Sequence, residues 1–337
     1  MDGNMLTTEQ YIQKIEEIRR QIERSSKRCM CPNCTSTAIN SHVFQRNGII
    51  SQIATEGRVY SFNLDSLFKL LRGHNPIQYE LIGVRDAFCF DGFCPNHDNG
   101  LFLPIEQGEV DWYNEHNQYL LAYKTICREL RTKKDSHQLL SNILNTFEWD
   151  EDSRDIPMGM LCEISNAQRT ITTLIQYKKL FEQGIYNGDY SKYYFKVIEL
   201  PFKLEMCLSS PITIAEENRY AFVPTTDIKD TVNIVQIFPY KDRTMVMLGF
   251  LEGKSNTWCF EMRGAFWSDD INDTCNALQD ILFRSDFNCI SHDLYEAIST
   301  KLPLFYDEWR VLADNYSRDI TYQSNIFEEY IKNQYGY

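Results

Sequence analysis

Between residues 11 and 22 the apolar side chains fall at Tyr11, Ile15, Ile18 and Ile22, while Glu16, Arg20, Glu23 and Arg24 take the other face. That spacing predicts an amphipathic helix, and Thr7 followed by Gln10 predicts a capping box at its start. Such a helix either packs on its own domain or serves as a docking arm or dimer contact. Longer helical patterns run over about 111–147 and 158–183, and the acidic run EWDEDSRDIP at 148–157 separates them. From about 193 to 262 the pattern shortens to FKVIEL, LEMCL, RYAFV, VNIVQIF, TMVMLGFL and TWCFEM, divided by turn residues. These runs predict an antiparallel sheet. Helical patterns return at about 273–284, 292–300, 304–316 and 324–333. Helices flanking a C-terminal antiparallel sheet define an α+β chain.

The stretch between the first and second helices is less regular. CMCPNCTST at 29–37 reads as a knuckle turn, and a helix interrupted by Gly48 is expected within 38–56. VYSF at 59–62 predicts a strand and LDSLFKLL at 64–71 a helix. AFCF at 87–90 predicts a strand entering a tight turn, DGFCPNHDNG, and LFLPIE at 101–106 an extended exit. The implied division is an N-terminal helix at 1–28, a cysteine-rich domain at 29–110, a helical connection at 111–157 and an α+β sensing or interaction domain at 158–337.

The chain has 337 residues, 43% hydrophobic and 13% aromatic, enough to bury a sizeable core. It contains no run of ~18 apolar residues that would span a membrane. The start, MDGNMLTTEQ, lacks the basic and apolar segments of a secretory signal, so the expected location is cytoplasmic. In that compartment the 11 cysteines are thiols or metal ligands rather than disulfides. Five lie at positions 29, 31, 34, 89 and 94; the other six, such as Cys127 and Cys207, are expected to be small buried core residues.

Net charge is −13, which argues against a large nucleic-acid surface. It is unevenly spread: residues 1–110 carry 11 basic and 13 acidic side chains, and the remainder 23 and 34. Contact with DNA or RNA is therefore expected, if anywhere, in the first third. The acidic remainder suits a protein partner or a small ligand, and the sequence leaves a homo-oligomer open.

Structural zinc takes four soft or borderline ligands in a tetrahedron, and two short-spaced pairs on tight turns supply them. CPNC at 31–34 and CPNH at 94–97 are two such pairs with the same spacing, with 59 residues between them. Cys29 adds an alternative in which Cys29 and Cys34 pair and Cys31 stays outside. The candidate ligands are therefore Cys29, Cys31, Cys34, Cys94 and His97. Cys89 lies in a strand-like run and suits the role less.

The order of a cysteine knuckle, AINSH with His42, and GFCPNHDNG resembles HNH (His-Me finger) nucleases over residues 29–106. It also resembles uncharacterised bacterial proteins carrying a knuckle, an SHxxQ segment and a GFCxxHD segment. This resemblance implies a treble-clef-like zinc domain and a metal-dependent phosphodiester hydrolase, an effector in a setting such as bacterial anti-phage defence. His42 would be the general base and Asp98 would help hold a catalytic Mg or Mn ion. The pattern departs from the family where Asn40 and Ser41 precede His42, and where Asp98 stands in place of a histidine. Asp91 is the nearest polar candidate for the middle position, and Gln45 and Arg46 could contact a phosphate. A non-catalytic, zinc-stabilised protein-interaction module fits the same residues: His42 bonds the backbone or ligates zinc, and Asp98 accepts from His97 or caps a turn.

Elsewhere the signals are structural. His116 and His137 are not one helical turn apart, so they are no metal pair. Asp269, Asp270 and Asp273 precede a helix, where acids favour the N-terminus. Arg128, Arg131, Lys133 and Lys134 form the densest basic group, a solvated helix face or a nucleic-acid contact. The chain has no phosphate-cradling glycine loop and no nucleophile elbow.

Overall fold

The computed structural model describes residues 7–63, 78–149, 154–214, 231–252, 257–285, 287–314 and 323–336. In chain order the elements are α1 (Thr8–Arg24), β1 (Ile39–His42), a 3-10 turn (Ile50–Ile53), β2 (Arg58–Asn63), β3 (Gln78–Gly83) and β4 (Cys89–Phe93). Then come α2 (Pro95–Leu101), α3 (Leu103–Glu106), α4 (Glu115–Thr146), α5 (Asp155–Asn187), β5 (Tyr193–Leu200), β6 (Met206–Ile214), β7 (Thr231–Tyr240) and β8 (Arg243–Leu251). The chain closes with α6 (Thr257–Phe266), α7 (Ile271–Phe283), β9 (Phe287–Ile290), α8 (His292–Ile298), α9 (Leu302–Asp314) and α10 (Glu328–Tyr335).

Seven strands form one sheet in the order β3-β2-β9-β6-β7-β8-β5, and every neighbouring pair is antiparallel. Successive side chains of a strand point to opposite faces. Val232, Ile234 and Phe238 of β7 accordingly join Ile126, Tyr177 and Phe181 of the long helices, whereas Val235 and Ile237 join Leu278 and Ile281 of α7. With helices on both faces, β7 is buried almost end to end, which is why its sequence reads as a continuous apolar run rather than an alternating one. The architecture is α+β, an N-terminal metal-binding module followed by an antiparallel sheet flanked by helices.

The first helix carries both capping-box bonds: the Gln10 backbone N–H donates to Thr7 Oγ1 at 3.3 Å and the Thr7 N–H to Gln10 Oε1 at 2.8 Å. Its stripe of Ile15, Ile18 and Ile22 packs on Ile143 and Phe147 at the end of α4. The helix thus packs on its own chain through that face.

Local pattern misplaces four segments. Residues 39–42 form a strand rather than a helix, because their partner β4 lies some fifty residues away, with His42 opposite Cys89. Only Ile50–Ile53 of the expected helix within 38–56 is helical, as a 3-10 turn with Ile50 and Ile53 buried. LFLPIE is helical rather than extended: Phe102 and Ile105 are buried three residues apart, and Pro104 sits in the first turn of α3, where no backbone donor is needed. TWCFEM is the start of α6; with Ala265 and Phe266 included, Trp258, Met262 and Phe266 recur every four residues toward the core. Strands β3 and β9 are additions that local pattern does not predict. LDSLFKLL and RYAFV lie outside the described residues.

Strands β2 and β3, within the expected cysteine-rich domain, belong to the same sheet as β5 to β8. The sheet therefore crosses the division expected between 29–110 and 158–337. The break at 148–157 ends in helix, since α5 starts at Asp155 and holds Pro157 in its first turn. Cys127, Cys207, Cys259, Cys275 and Cys289 are buried as expected, but Cys162 is exposed on α5. Cys207 and Cys289 also face each other across β6 and β9. No helix among the described residues is long and apolar enough to cross a membrane.

Candidate metal centre

The knuckle is shaped by its own backbone. The Cys29 N–H donates to Ser36 O at 2.9 Å and the Cys34 N–H to Cys31 O at 3.3 Å, with Asn33 in the left-handed region at φ 58°. Asparagine tolerates that conformation better than most residues, which suits its place inside the turn. The Met30 N–H donates to Gly92 O at 2.9 Å and so pins the knuckle to the end of β4.

The second ligand pair is built differently from the turn expected at DGFCPNHDNG. Cys94 is the N-cap of α2, Pro95 is its first residue, and the Asp98 N–H donates to Cys94 O at 2.9 Å. Cys94 and His97 therefore stand three residues apart on one helical turn and project to the same side. A knuckle, the β1–β4 ribbon and a helix that opens on two ligands make up a treble-clef-like module.

Cys29, Cys34, Cys94 and His97 bring three sulfurs and one ring nitrogen within 4.8 Å of one another. His97 Nδ1 is 3.2 Å from Cys94 Sγ and 3.5 Å from Cys29 Sγ, and Cys34 Sγ is 3.9 Å from Cys94 Sγ. Bonds of about 2.3 Å to sulfur and 2.0 Å to nitrogen place tetrahedral sulfur–nitrogen pairs roughly 3.5 Å and sulfur–sulfur pairs roughly 3.8 Å apart, close to the separations here, so this set fits a four-coordinate zinc. The backbone N–H of Ser36 holds the Cys34 thiol below its ordinary value, favouring the thiolate a metal needs.

Cys31 does not belong to the group. It is buried, burial pushes its thiol well up, and its polar neighbour is the Tyr186 hydroxyl near the end of α5. The alternative with Cys31 outside is the one the fold adopts, since Cys29 and Cys34 are the two knuckle cysteines in the cluster. Cys89 is also outside; its Sγ–H donates to Asp86 O at 3.2 Å.

The module is seated on α4 and α5 by polar contacts. Arg131 donates to Asp91 O at 3.0 Å and to Arg28 O at 2.9 Å, and the Tyr123 hydroxyl bonds Met30 O at 3.2 Å and Glu182 at 2.8 Å. Three of the four members of the basic group at 128–134 are engaged within the chain, Arg131 as above, Arg128 3.8 Å from the centre of the Phe287 ring and Lys133 paired with Glu129 at 3.2 Å, while Lys134 is exposed.

His42 ends β1, and its Nε2 lies 3.1 Å from Arg85 O. Burial lowers its pKa, opposed by the Arg85 carbonyl and the Asp98 charge and reinforced by Arg46 and Lys124. Asp98, in the first turn of α2, has Oδ1 3.8 Å from Lys124 Nζ. That ammonium is 1% exposed, donates to the His42 carbonyl at 3.0 Å, pairs with Glu106 and lies 4.3 Å from the centre of the Phe102 ring. The Gln45 amide donates to Glu106 O, and Arg46 to Asn47 at 3.3 Å. Sequence pattern does not single out Lys124; its one signal is a single charge inside the apolar helical run YLLAYKTIC. His116 bonds the Tyr190 hydroxyl at 2.9 Å, and Asp270 caps α7 by accepting from the Asn272 N–H at 2.9 Å, both structural roles.

No family model, no curated protein and no solved structure matches this chain.

Proposed function

We propose that this protein is a non-catalytic, zinc-stabilised interaction module. The observation that carries the reading is a complete Cys3His set closing on one point at the base of the two long helices. Structural zinc sites use all four positions for protein ligands, whereas catalytic ones keep one open. Of the polar groups beside the metal, the His42 ring bonds the Arg85 carbonyl and the Lys124 ammonium pairs with Glu106, whereas the buried Asp98 Oδ1 has no hydrogen-bond partner and lies 3.8 Å from that ammonium. Elemental analysis giving one zinc per chain, recovery of a specific protein partner and no hydrolysis of DNA or RNA in Mg²⁺ or Mn²⁺ are the expected results. A preparation with no zinc, or robust hydrolysis, would overturn it.

A metal-dependent nuclease of the HNH-like kind is the second reading, favoured by one observation. Burial lowers the His42 pKa, which favours the neutral form a general base needs, and the Asp98 charge opposes that shift. It requires the Asp98 carboxylate, whose Oδ1 has no hydrogen-bond partner and lies 3.8 Å from Lys124 Nζ, to take a Mg²⁺ or Mn²⁺ ion. Cleavage lost in His42→Ala with zinc retained would establish it over the first.

A further inference from the structure

Helix α5 is bound into the core only over its second half, where Ile171 is the first of its buried side chains. In the first half Pro157, Met160, Ile164 and Ala167 are half-buried at helical spacing, and Met160 packs on the cluster of Ile143 and Phe147. The other side of this half is bare. Asp155, Met158, Gly159, Cys162, Ser165 and Arg169 are all exposed, and steps of three and four residues line them up in one stripe. Leu161, 48% exposed, flanks it.

Gly159 is the telling member of the stripe. Glycine inside a helix costs about 1 kcal/mol relative to alanine, so a packing reason is expected for it. Among the described residues there is none, because a Cβ at Gly159 would meet nothing within 4 Å. The stripe is also self-complementary: it begins on an acid, ends on a base and carries small side chains between them. Against a copy of itself running the other way, about a two-fold axis at Cys162, Asp155 falls opposite Arg169. Met158 then falls opposite the exposed Asn166, and Gly159 opposite Ser165, in both halves at once. A two-fold contact is one patch meeting itself, and this mirrored order of charge and size is what it requires. A foreign partner has no need of it. Gly159, Cys162 and Ser165 at the crossing allow the two axes to approach to about 8 Å, the close end of helix packing.

We infer that two copies of this chain associate through residues 155–169 of α5, antiparallel about Cys162, with Asp155 of each copy facing Arg169 of the other. The contact is short, which makes the dimer reversible rather than obligate. Its axis lies about 36 Å along the helix from Tyr186, the neighbour of Cys31, so dimer and zinc module are separable.

Sedimentation velocity of the full-length, zinc-loaded chain, in a series reaching about 100 μM, should show monomer and dimer in equilibrium. Asp155→Lys and Arg169→Asp each set like charges face to face twice per dimer, and each should weaken it about tenfold or more. Both substitutions in one chain should restore it. Gly159→Gln puts a better helix former into open space, so it should fold at least as well and yet abolish the dimer. Cys162 is the one fully exposed cysteine, and a short bismaleimide should join two chains through it, a product lost in Cys162→Ser. A monomer at every concentration, a dimer that survives Gly159→Gln, or a folded charge-swapped chain that stays monomeric would each overturn the inference. Should the charge variants fail to fold, Gly159→Gln and the crosslink decide.

Discussion

The ammonium of Lys124 donates to the main-chain carbonyl of His42 at 3.0 Å, from a helix that begins more than seventy residues later in the chain. Through this one nitrogen α4 holds the end of β1, the Asp98 carboxylate of α2 and the Glu106 carboxylate of α3. A buried ammonium persists only where paired and hydrogen-bonded, and here several partners meet that condition. The metal site and the helices that carry the sheet are therefore mechanically one assembly.

Replacing Lys124 with Met should expose that dependence. It leaves two carboxylates without their shared partner in a largely water-excluded place, and breaking such a pair from one side costs about 3 kcal/mol or more. Urea unfolding should register the loss. Lys124→Met combined with Asp98→Asn should recover part of it, because one orphaned charge is then removed; no recovery would mean that Glu106 is the dominant partner.

The ligand set separates Cys94 from Cys31. Cys94→Ser should lose the zinc and lower stability by more than about 4 kcal/mol, the scale reached when a structural metal is lost. Cys31→Ser should keep one zinc per chain and cost about 1–2 kcal/mol for a buried polar swap. Elemental analysis and thermal melts of the two variants side by side check this, and metal loss in Cys31→Ser would revise the shell.

For His42 the pH dependence has a definite sign. Its folded pKa is lowered, so between that value and about 6.5, the ordinary histidine value, the unfolded chain binds more protons. The contribution is fully present above about pH 6.5 and is lost as pH falls through the folded value. The difference in unfolding free energy between the unsubstituted chain and His42→Gln should change over this window and stay flat above pH 7.5. A difference that is constant from pH 5 to 8 would contradict the assignment.

Close packing sets a further test where α5 meets α4. A Cβ at Gly184 would lie 2.4 Å from the Tyr119 ring, which is buried and tied to Tyr193. Alanine is the better helix former by about 1 kcal/mol, but overpacking a rigid ring costs about 1–3 kcal/mol. Gly184→Ala should therefore destabilise by about 1 kcal/mol, read by chemical denaturation, and a stabilised variant would mean the ring has room to move.

The sequence by itself determined much of this protein. The period of α1 and its capping pair, both long helices, the strands at FKVIEL, LEMCL, VNIVQIF and TMVMLGFL and four of the five candidate ligands follow from spacing, because each is governed by residues close in the chain. Tertiary structure decided the rest. Whether INSH is helix or strand depends on β4, whether LFLPIE extends or coils depends on the core it meets, and β2 and β3 join a sheet whose other strands come more than a hundred residues later. Cys31 and Cys34 share one motif, yet only Cys34 turns toward Cys29 and His97. Lys124 looks like an ordinary helical lysine until the carboxylates around it are known. Short-range pattern fixes what a segment can be, and the partner across space, through burial, pairing and charge, fixes what it is.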